Sequence, residues 1–172
     1  MSAIRDRSAV IMAAAIGFVV TVGYAIAGSL QILVWNPLAA VPGATLSEIE
    51  QGLARASESL GTSLVIGWAI IGGVLAAGIL IAAVLRLSVR LPQVVQADLV
   101  LLVLAAPTFW AASFPAGMGI ADTFHTTGAP HSPWGAPLYA VSAAALLALL
   151  VMVAVAQRRA TAEAQDSTYE RV

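Results

Sequence analysis

Residues 62–85 read TSLVIGWAIIGGVLAAGILIAAVL and contain no ionisable side chain. As an α-helix rising about 1.5 Å per residue, this stretch is about 36 Å long, enough to cross a bilayer core of about 30 Å. Ala69, Gly73 and Ala77 recur at every fourth residue, so small side chains form a row along one side. Because small residues let helix backbones approach closely in lipid, the stretch predicts a transmembrane helix at the centre of a bundle.

The composition of the whole chain agrees with a membrane location. Hydrophobic residues make up 60% of the chain and charged residues 10%, whereas soluble domains carry about 25% charged residues. The formal net charge of −1 provides no basic surface, which argues against nucleic acid as a partner. The absence of cysteine excludes disulfides, thiolate metal sites and cysteine nucleophiles.

Three other apolar stretches resemble residues 62–85 in length and hydrophobicity. We therefore expect an all-α integral membrane protein, a four-transmembrane-helix bundle. Residues 1–159 are predicted to form this membrane domain and residues 160–172 a polar cytoplasmic tail. The predicted spans are 9–35, 62–85, 93–118 and 136–156.

Small residues also mark faces of the other spans. In the first span Ala13, Gly17 and Thr21 repeat every fourth residue, and Gly28 lies a heptad beyond Thr21. We expect this face to pack against the second span. The fourth span is predicted to present a second smooth packing edge, formed by Ala136, Ala140, Ala144 and Ala148.

The first span also resembles a cleaved signal peptide in one respect. Ala25-Ile26-Ala27 before Gly28 has the small-residue pattern of a signal-peptidase site. The apolar run continues to Trp35, which is longer than a signal peptide needs. We therefore expect a retained helix, with cleavage as the alternative.

The loop at residues 36–60 contains a short amphipathic helix. Thr45 followed by Glu48 forms a capping box, the typical start of a helix. Apolar residues then recur at helical spacing, at Leu46, Ile49, Leu53 and Leu60. We expect this helix in the first extracytoplasmic loop to cap the bundle or lie on the membrane surface, with docking of a partner as the alternative.

The arginines predict the orientation of the chain. All eight basic residues are arginine, and only Arg55 falls in a predicted outer loop. Since basic residues stay on the cytoplasmic side, both termini are predicted to be cytoplasmic. The use of arginine for every basic residue, together with abundant alanine, is also typical of proteins from high-GC bacterial genomes. This composition favours a location in a bacterial plasma membrane. The inner arginines are Arg5, Arg7, Arg86, Arg90, Arg158, Arg159 and Arg171.

No aspartate, glutamate, lysine, arginine or histidine lies near the predicted middle of any span. Proton relays, ion-coupled carriers and haem-binding helices need such residues, so these functions are disfavoured. Asp98, near the cytoplasmic end of the third span, is the nearest case. We expect it to form an ion pair with Arg86 or Arg90 rather than to act in transport.

Two candidate sites lie towards the outer side. Asp122, His125 and His131 are weak candidates for a zinc or copper site, but their spacing matches no metal motif, and solvated loop histidines are the alternative.

Aromatic residues provide the second candidate site. A cavity for an apolar ligand is predicted around Trp68, Trp110, Ser113 and Tyr139, with ordinary packing as the alternative. Pro107 should bend the third span beside it.

Three functions remain open after these exclusions. We expect a small, non-enzymatic inner-membrane protein that acts as a subunit, assembly factor or binding partner of a membrane complex. The alternatives are a channel or carrier for an uncharged or lipid-like solute, and an extracytoplasmic metal-binding membrane protein. We expect no cofactor. The expected partners are membrane lipids and another membrane protein or a second copy of the chain.

Overall fold

The computed structural model describes residues 2–85 and 89–169, with side chains for residues 7–85 and 89–162. Every regular element in this part of the chain is helical. The side chains of Arg5, Arg86 and Arg171 lie outside the described residues. The elements are α1 (Ser2–Leu30), a π-helical turn (Gln31–Trp35), α2 (Asn36–Ala40), α3 (Leu46–Arg55), α4 (Thr62–Val84), α5 (Leu91–Phe124), a 3-10 turn (Pro133–Gly135) and α6 (Ala136–Tyr169).

Four helical segments are long and apolar enough to cross a membrane, which confirms this part of the prediction. They are Arg7–Ala40, Thr62–Val84, Leu91–Phe124 and Pro133–Ala162. Only 11% of the most apolar window of Thr62–Val84 is buried inside the protein. Large hydrophobic side chains therefore face outward, as they do on helices that contact lipid.

The centre of the structure is α1 with α5. Helix α1 packs extensively on both α4 and α5, whereas α6 packs mainly on α5. Helix α4 lies on one side and is the most exposed of the four spans. The prediction that residues 62–85 form the central helix is therefore wrong, because α4 packs on α1 along one side and leaves its isoleucine-rich side outside.

The small face of α1 packs against two neighbours. Gly28 lies against the Trp68 ring of α4, as predicted, and a Cβ atom there would come within 2.7 Å of that ring. Gly17 instead lies against the Asp98 side chain of α5, which would overlap any added Cβ atom. The face predicted to contact the second span therefore contacts the third as well.

The predicted alanine edge of α6 does not pack inside the chain. Ala136, Ala140, Ala144 and Ala148 are all exposed. The face of α6 that packs on α5 carries Leu138, Ser142 and Ala145 instead, all of them buried. This difference arises because the packed row is offset from the alanine row around the helix.

The two ends of the bundle differ in chemistry. At the arginine end, Arg7 donates a hydrogen bond from Nη2 to the Val84 carbonyl at 3.2 Å, and Arg90 precedes α5. At the tryptophan end, the Trp35 and Trp134 rings lie 6.1 Å apart.

Helix α3 lies at the tryptophan end, and its predicted capping box is confirmed. Glu48 Oε2 accepts hydrogen bonds from Thr45 N at 2.7 Å and Thr45 Oγ1 at 2.8 Å. These bonds hold the pKa of the Glu48 carboxyl below its usual value. Ile49 and Leu53 are fully buried, and Gly52 lies against the Phe124 ring of α5. The apolar face of α3 is thus occupied within the chain, which favours its role as a cap.

Three helical segments run further than the predicted spans, and the first of them is continuous from Ser2 to Ala40. Helix α5 continues through Pro107 and Pro115 to Phe124, where His125 ends it in the left-handed conformation with φ 55°. Helix α6 continues beyond residue 156 to Tyr169.

Gly28→Leu should destabilise the protein by about 1–3 kcal/mol, because the added side chain overlaps the Trp68 ring in a packed interface. The loss is measured as a lower midpoint of thermal unfolding in detergent.

Gly23→Leu is the matched control, since Gly23 is on the same helix with no atom within 4 Å of an added Cβ. Both variants gain the same helix propensity, so the difference between them reports packing alone. Equal midpoints for the two variants would contradict the α1–α4 interface.

Candidate functional site

A cavity of about 360 Å³ lies at the tryptophan end, between the end of α1, the second half of α5 and the start of α6. Its inner wall is buried and includes Ile32, Phe109 and Ala116. Its rim includes the exposed rings of Trp110 and Phe114, so the cavity opens on the outside of the bundle. A concave apolar site of this size is typical of small-molecule binding.

Three of the four residues predicted for this cavity line it, namely Trp110, Ser113 and Tyr139. Trp68 does not. Its ring packs 6.0 Å from the Phe109 ring, and its indole N–H donates to Thr108 Oγ1 at 3.0 Å. Trp68 therefore supports the cavity wall from behind.

The π-helical turn that follows α1 places a polar side chain at the back of the cavity. Gln31 is 3% exposed, and its Nε2 donates to the Ser132 carbonyl at 3.3 Å. Ser132 Oγ donates in return to Gln31 Oε1 at 3.1 Å. A buried amide needs such partners because leaving it unpaired in an apolar site costs about 1–3 kcal/mol. Wide π-helical turns often occur at functional sites.

Asn36 fixes the loop over the cavity. Its Oδ1 accepts hydrogen bonds from the backbone N–H groups of His131 at 2.7 Å and Ser132 at 3.3 Å. The loop before α6 is thereby tied to the end of α1. Gln31, Asn36 and Ser132 were not predicted from the sequence, because the Gln31–Ser132 pair spans about a hundred residues and its one local signal is a glutamine inside an apolar run.

The polar groups at the cavity are rich in free donors. Within the described part of the chain, the Asn36 Nδ2 amide and the Tyr139 hydroxyl make no hydrogen bond, and one Gln31 Nε2 proton is unused. Ser113 Oγ already donates to the Trp110 carbonyl at 2.8 Å. The three free groups are available to donate hydrogen bonds to a bound molecule.

The cavity lining carries no formal charge. Among the described residues that line it there is no aspartate, glutamate, lysine, arginine or histidine. An ion entering this site would lose its hydration without gaining a counter-charge, which is strongly unfavourable. The site is therefore suited to uncharged molecules.

The candidate metal residues do not assemble. No group of three histidine, aspartate or glutamate side chains that could hold a metal ion occurs among the described residues. His125 ends α5, while His131 Nε2 lies 3.4 Å from Thr127 Oγ1. The proposed set of Asp122, His125 and His131 thus has no geometric support.

Asp98 was predicted to pair with Arg86 or Arg90, and the structure describes only the second of these arginines. It is 6% exposed, and its Oδ1 has no hydrogen-bond partner. No ion pair joins it to Arg90 within residues 89–162, and Arg86 is outside the described residues. Its carboxyl group rests on Gly17 instead.

Two other polar groups in the spans behave differently from each other. Tyr24 OH accepts a hydrogen bond from Ser142 Oγ at 3.4 Å. Thr21 Oγ1 is buried and has no partner in the described structure.

The described site offers binding chemistry without an activated nucleophile. The hydroxyls of Ser113 and Ser132 donate to a backbone carbonyl and to an amide oxygen, so neither is paired with a base. Comparison of the chain with protein-family models, curated proteins and solved structures finds no match. Function must therefore be inferred from the geometry of this chain.

Proposed function

We propose that this protein is a multi-pass protein of a bacterial plasma membrane, with both termini in the cytoplasm. The four long apolar segments support insertion. Arg7 and Arg90 lie at one end of the bundle, while Arg55 is on α3 at the other end. This distribution supports the arginine end as cytoplasmic and the tryptophan end as external.

Its proposed function is to bind an uncharged, lipid-like molecule in the outer half of the membrane. It would act as a carrier or a binding protein rather than as an enzyme. The observation that supports this most directly is the charge-free cavity between α5 and α6. Its exposed rim includes Trp110, Phe114 and Tyr139. A molecule dissolved in lipid would reach the cavity sideways, without passing through water.

The cavity also restricts the chemistry of this molecule. A cavity of about 150 Å³ binds benzene, so 360 Å³ accepts one or two rings or part of an acyl chain. The free donors of Asn36 and Tyr139 favour a carbonyl or ester oxygen on the ligand. We therefore propose a neutral amphipathic ligand with an acceptor group, such as an ester or a quinone.

A diazirine-bearing fatty acid methyl ester should label the cavity of the protein in nanodiscs. Ser113→Phe should reduce saturable labelling about tenfold, equivalent to about 1.4 kcal/mol of binding free energy, because the phenyl ring fills the cavity. Labelled positions are mapped by mass spectrometry of proteolytic peptides.

The control variant is Ala111→Phe, which adds the same ring at an exposed position of α5 outside the cavity. The matching free fatty acid is the control probe, and its carboxylate should label the cavity weakly. Equal labelling of both variants, or equal labelling by ester and acid, would refute this function.

A second candidate is a subunit or assembly factor that contacts another membrane protein or a second copy of itself. The observation that favours it is the exposed alanine row of α6. Such rows let a helix backbone approach closely in lipid. The alanine row lies beside the face of α6 that packs on α5. A partner helix on this row and α5 could therefore contact α6 at the same time.

For this candidate, the double variant Ala140→Ile/Ala144→Ile should weaken association, because branched side chains hold a partner backbone away. Association is measured by chemical crosslinking in native membranes and by mass after mild-detergent purification. Val141→Ile, exposed beside the row, is the control. A protein that is monomeric and free of partners in every variant and detergent would refute this second function.

A further inference from the structure

One buried ionisable group has no role in the outer cavity. Asp98 lies seven residues after Leu91, the start of α5, which places it about 10 Å along the helix from the arginine end. Between it and that end lies a cluster of apolar side chains. The buried members of the cluster are Val10, Ala14, Ala83 and Val94.

The site around Asp98 depends on a glycine. The carboxyl carbon and both oxygens of Asp98 occupy the space that a Cβ atom at position 17 would take. Glycine at this position of α1 thus makes the room in which the carboxyl group lies. Thr21, one turn further along α1, has a buried hydroxyl oxygen that also lacks a partner in the described structure.

No described charge faces Asp98 at its own level. Helix α4 carries no ionisable residue along Thr62–Val84, and α6 carries no acidic or basic residue before Arg158. Arg7 lies about 15 Å along α1 from Gly17, and Arg90 about 12 Å along α5 from Asp98. The side chains of Arg5, Asp6 and Arg86, near the same end, are outside the described residues.

We propose that Asp98 and Gly17 form a proton-binding site between α1 and α5, in which Asp98 is held as a neutral carboxylic acid. A charged carboxylate buried in lipid without a partner is disfavoured, and the neutral acid avoids this cost. The carboxylate becomes favourable when water or an arginine reaches it from the arginine end.

The test uses dicyclohexylcarbodiimide, an apolar reagent that attacks protonated carboxyl groups in membranes. The acid O–H adds across one C=N bond: the proton goes to nitrogen and the carboxyl oxygen bonds to the central carbon. Acyl migration to nitrogen then gives a stable N-acylurea. We expect this adduct on Asp98 of the full chain in nanodiscs, with labelling that falls as pH rises.

The exposed carboxyl group of Asp122 is the internal control. A water-soluble carbodiimide with an added amine should modify Asp122 and leave Asp98 unmodified. Gly17→Ala should reduce Asp98 labelling several-fold by displacing the carboxyl group, whereas Gly23→Ala, with open space around position 23, should leave labelling unchanged.

The variant Asp98→Asn distinguishes a neutral Asp98 from an Asp98 carboxylate in an ion pair. Asp98→Asn has nearly the shape of the neutral acid, so it should remove the adduct and leave the thermal unfolding midpoint unchanged. An ion pair predicts the opposite: no adduct in the parent protein, and lower midpoints for both Asp98→Asn and Arg86→Gln. Absence of the adduct on Asp98 at pH 5, or a lower midpoint for Asp98→Asn, would overturn the proposal.

Discussion

The close approach of α1 to its neighbours is the constraint on which the rest of the structure depends. Lipid provides no hydrophobic drive for helices to associate, so packing must come from backbones that approach closely. Glycine makes this possible twice on α1: Gly28 accepts the Trp68 ring, and Gly17 accepts the Asp98 carboxyl group. Gly28 thus receives a side chain of α4 and Gly17 a side chain of α5, and α5 in turn packs on α6.

Two buried polar sites follow from this arrangement, and they differ in how they are satisfied. At the tryptophan end, Gln31 and Ser132 exchange hydrogen bonds and form the back of a charge-free cavity. About 10 Å from the arginine end, Asp98 has an oxygen with no described partner. A satisfied site shapes a pocket for a neutral molecule, whereas an unsatisfied carboxyl group favours binding of a proton.

The sequence predicts what depends on local pattern. Apolar length identified the four long segments, and the Thr45–Glu48 box identified α3, because both signals lie within a few turns. Two predictions were wrong, namely that residues 62–85 form the central helix and that the alanine row of α6 packs inside the bundle. Helix propensity and small-residue spacing do not determine which face of a helix contacts a neighbour. Trp110, Ser113 and Tyr139 were predicted from an aromatic cluster towards the outer side, but the Gln31–Ser132 pair depends on tertiary packing.

Labelling of single cysteines with a membrane-impermeant maleimide tests the four-span arrangement directly, because the chain has no cysteine of its own. The variants are Glu50→Cys, Ala129→Cys, Arg90→Cys and Gln157→Cys, all at exposed positions. In intact cells the first two should react fully and the last two only after permeabilisation. Protection of position 50 or 129 in intact cells, or reaction of position 90 or 157, would contradict the account.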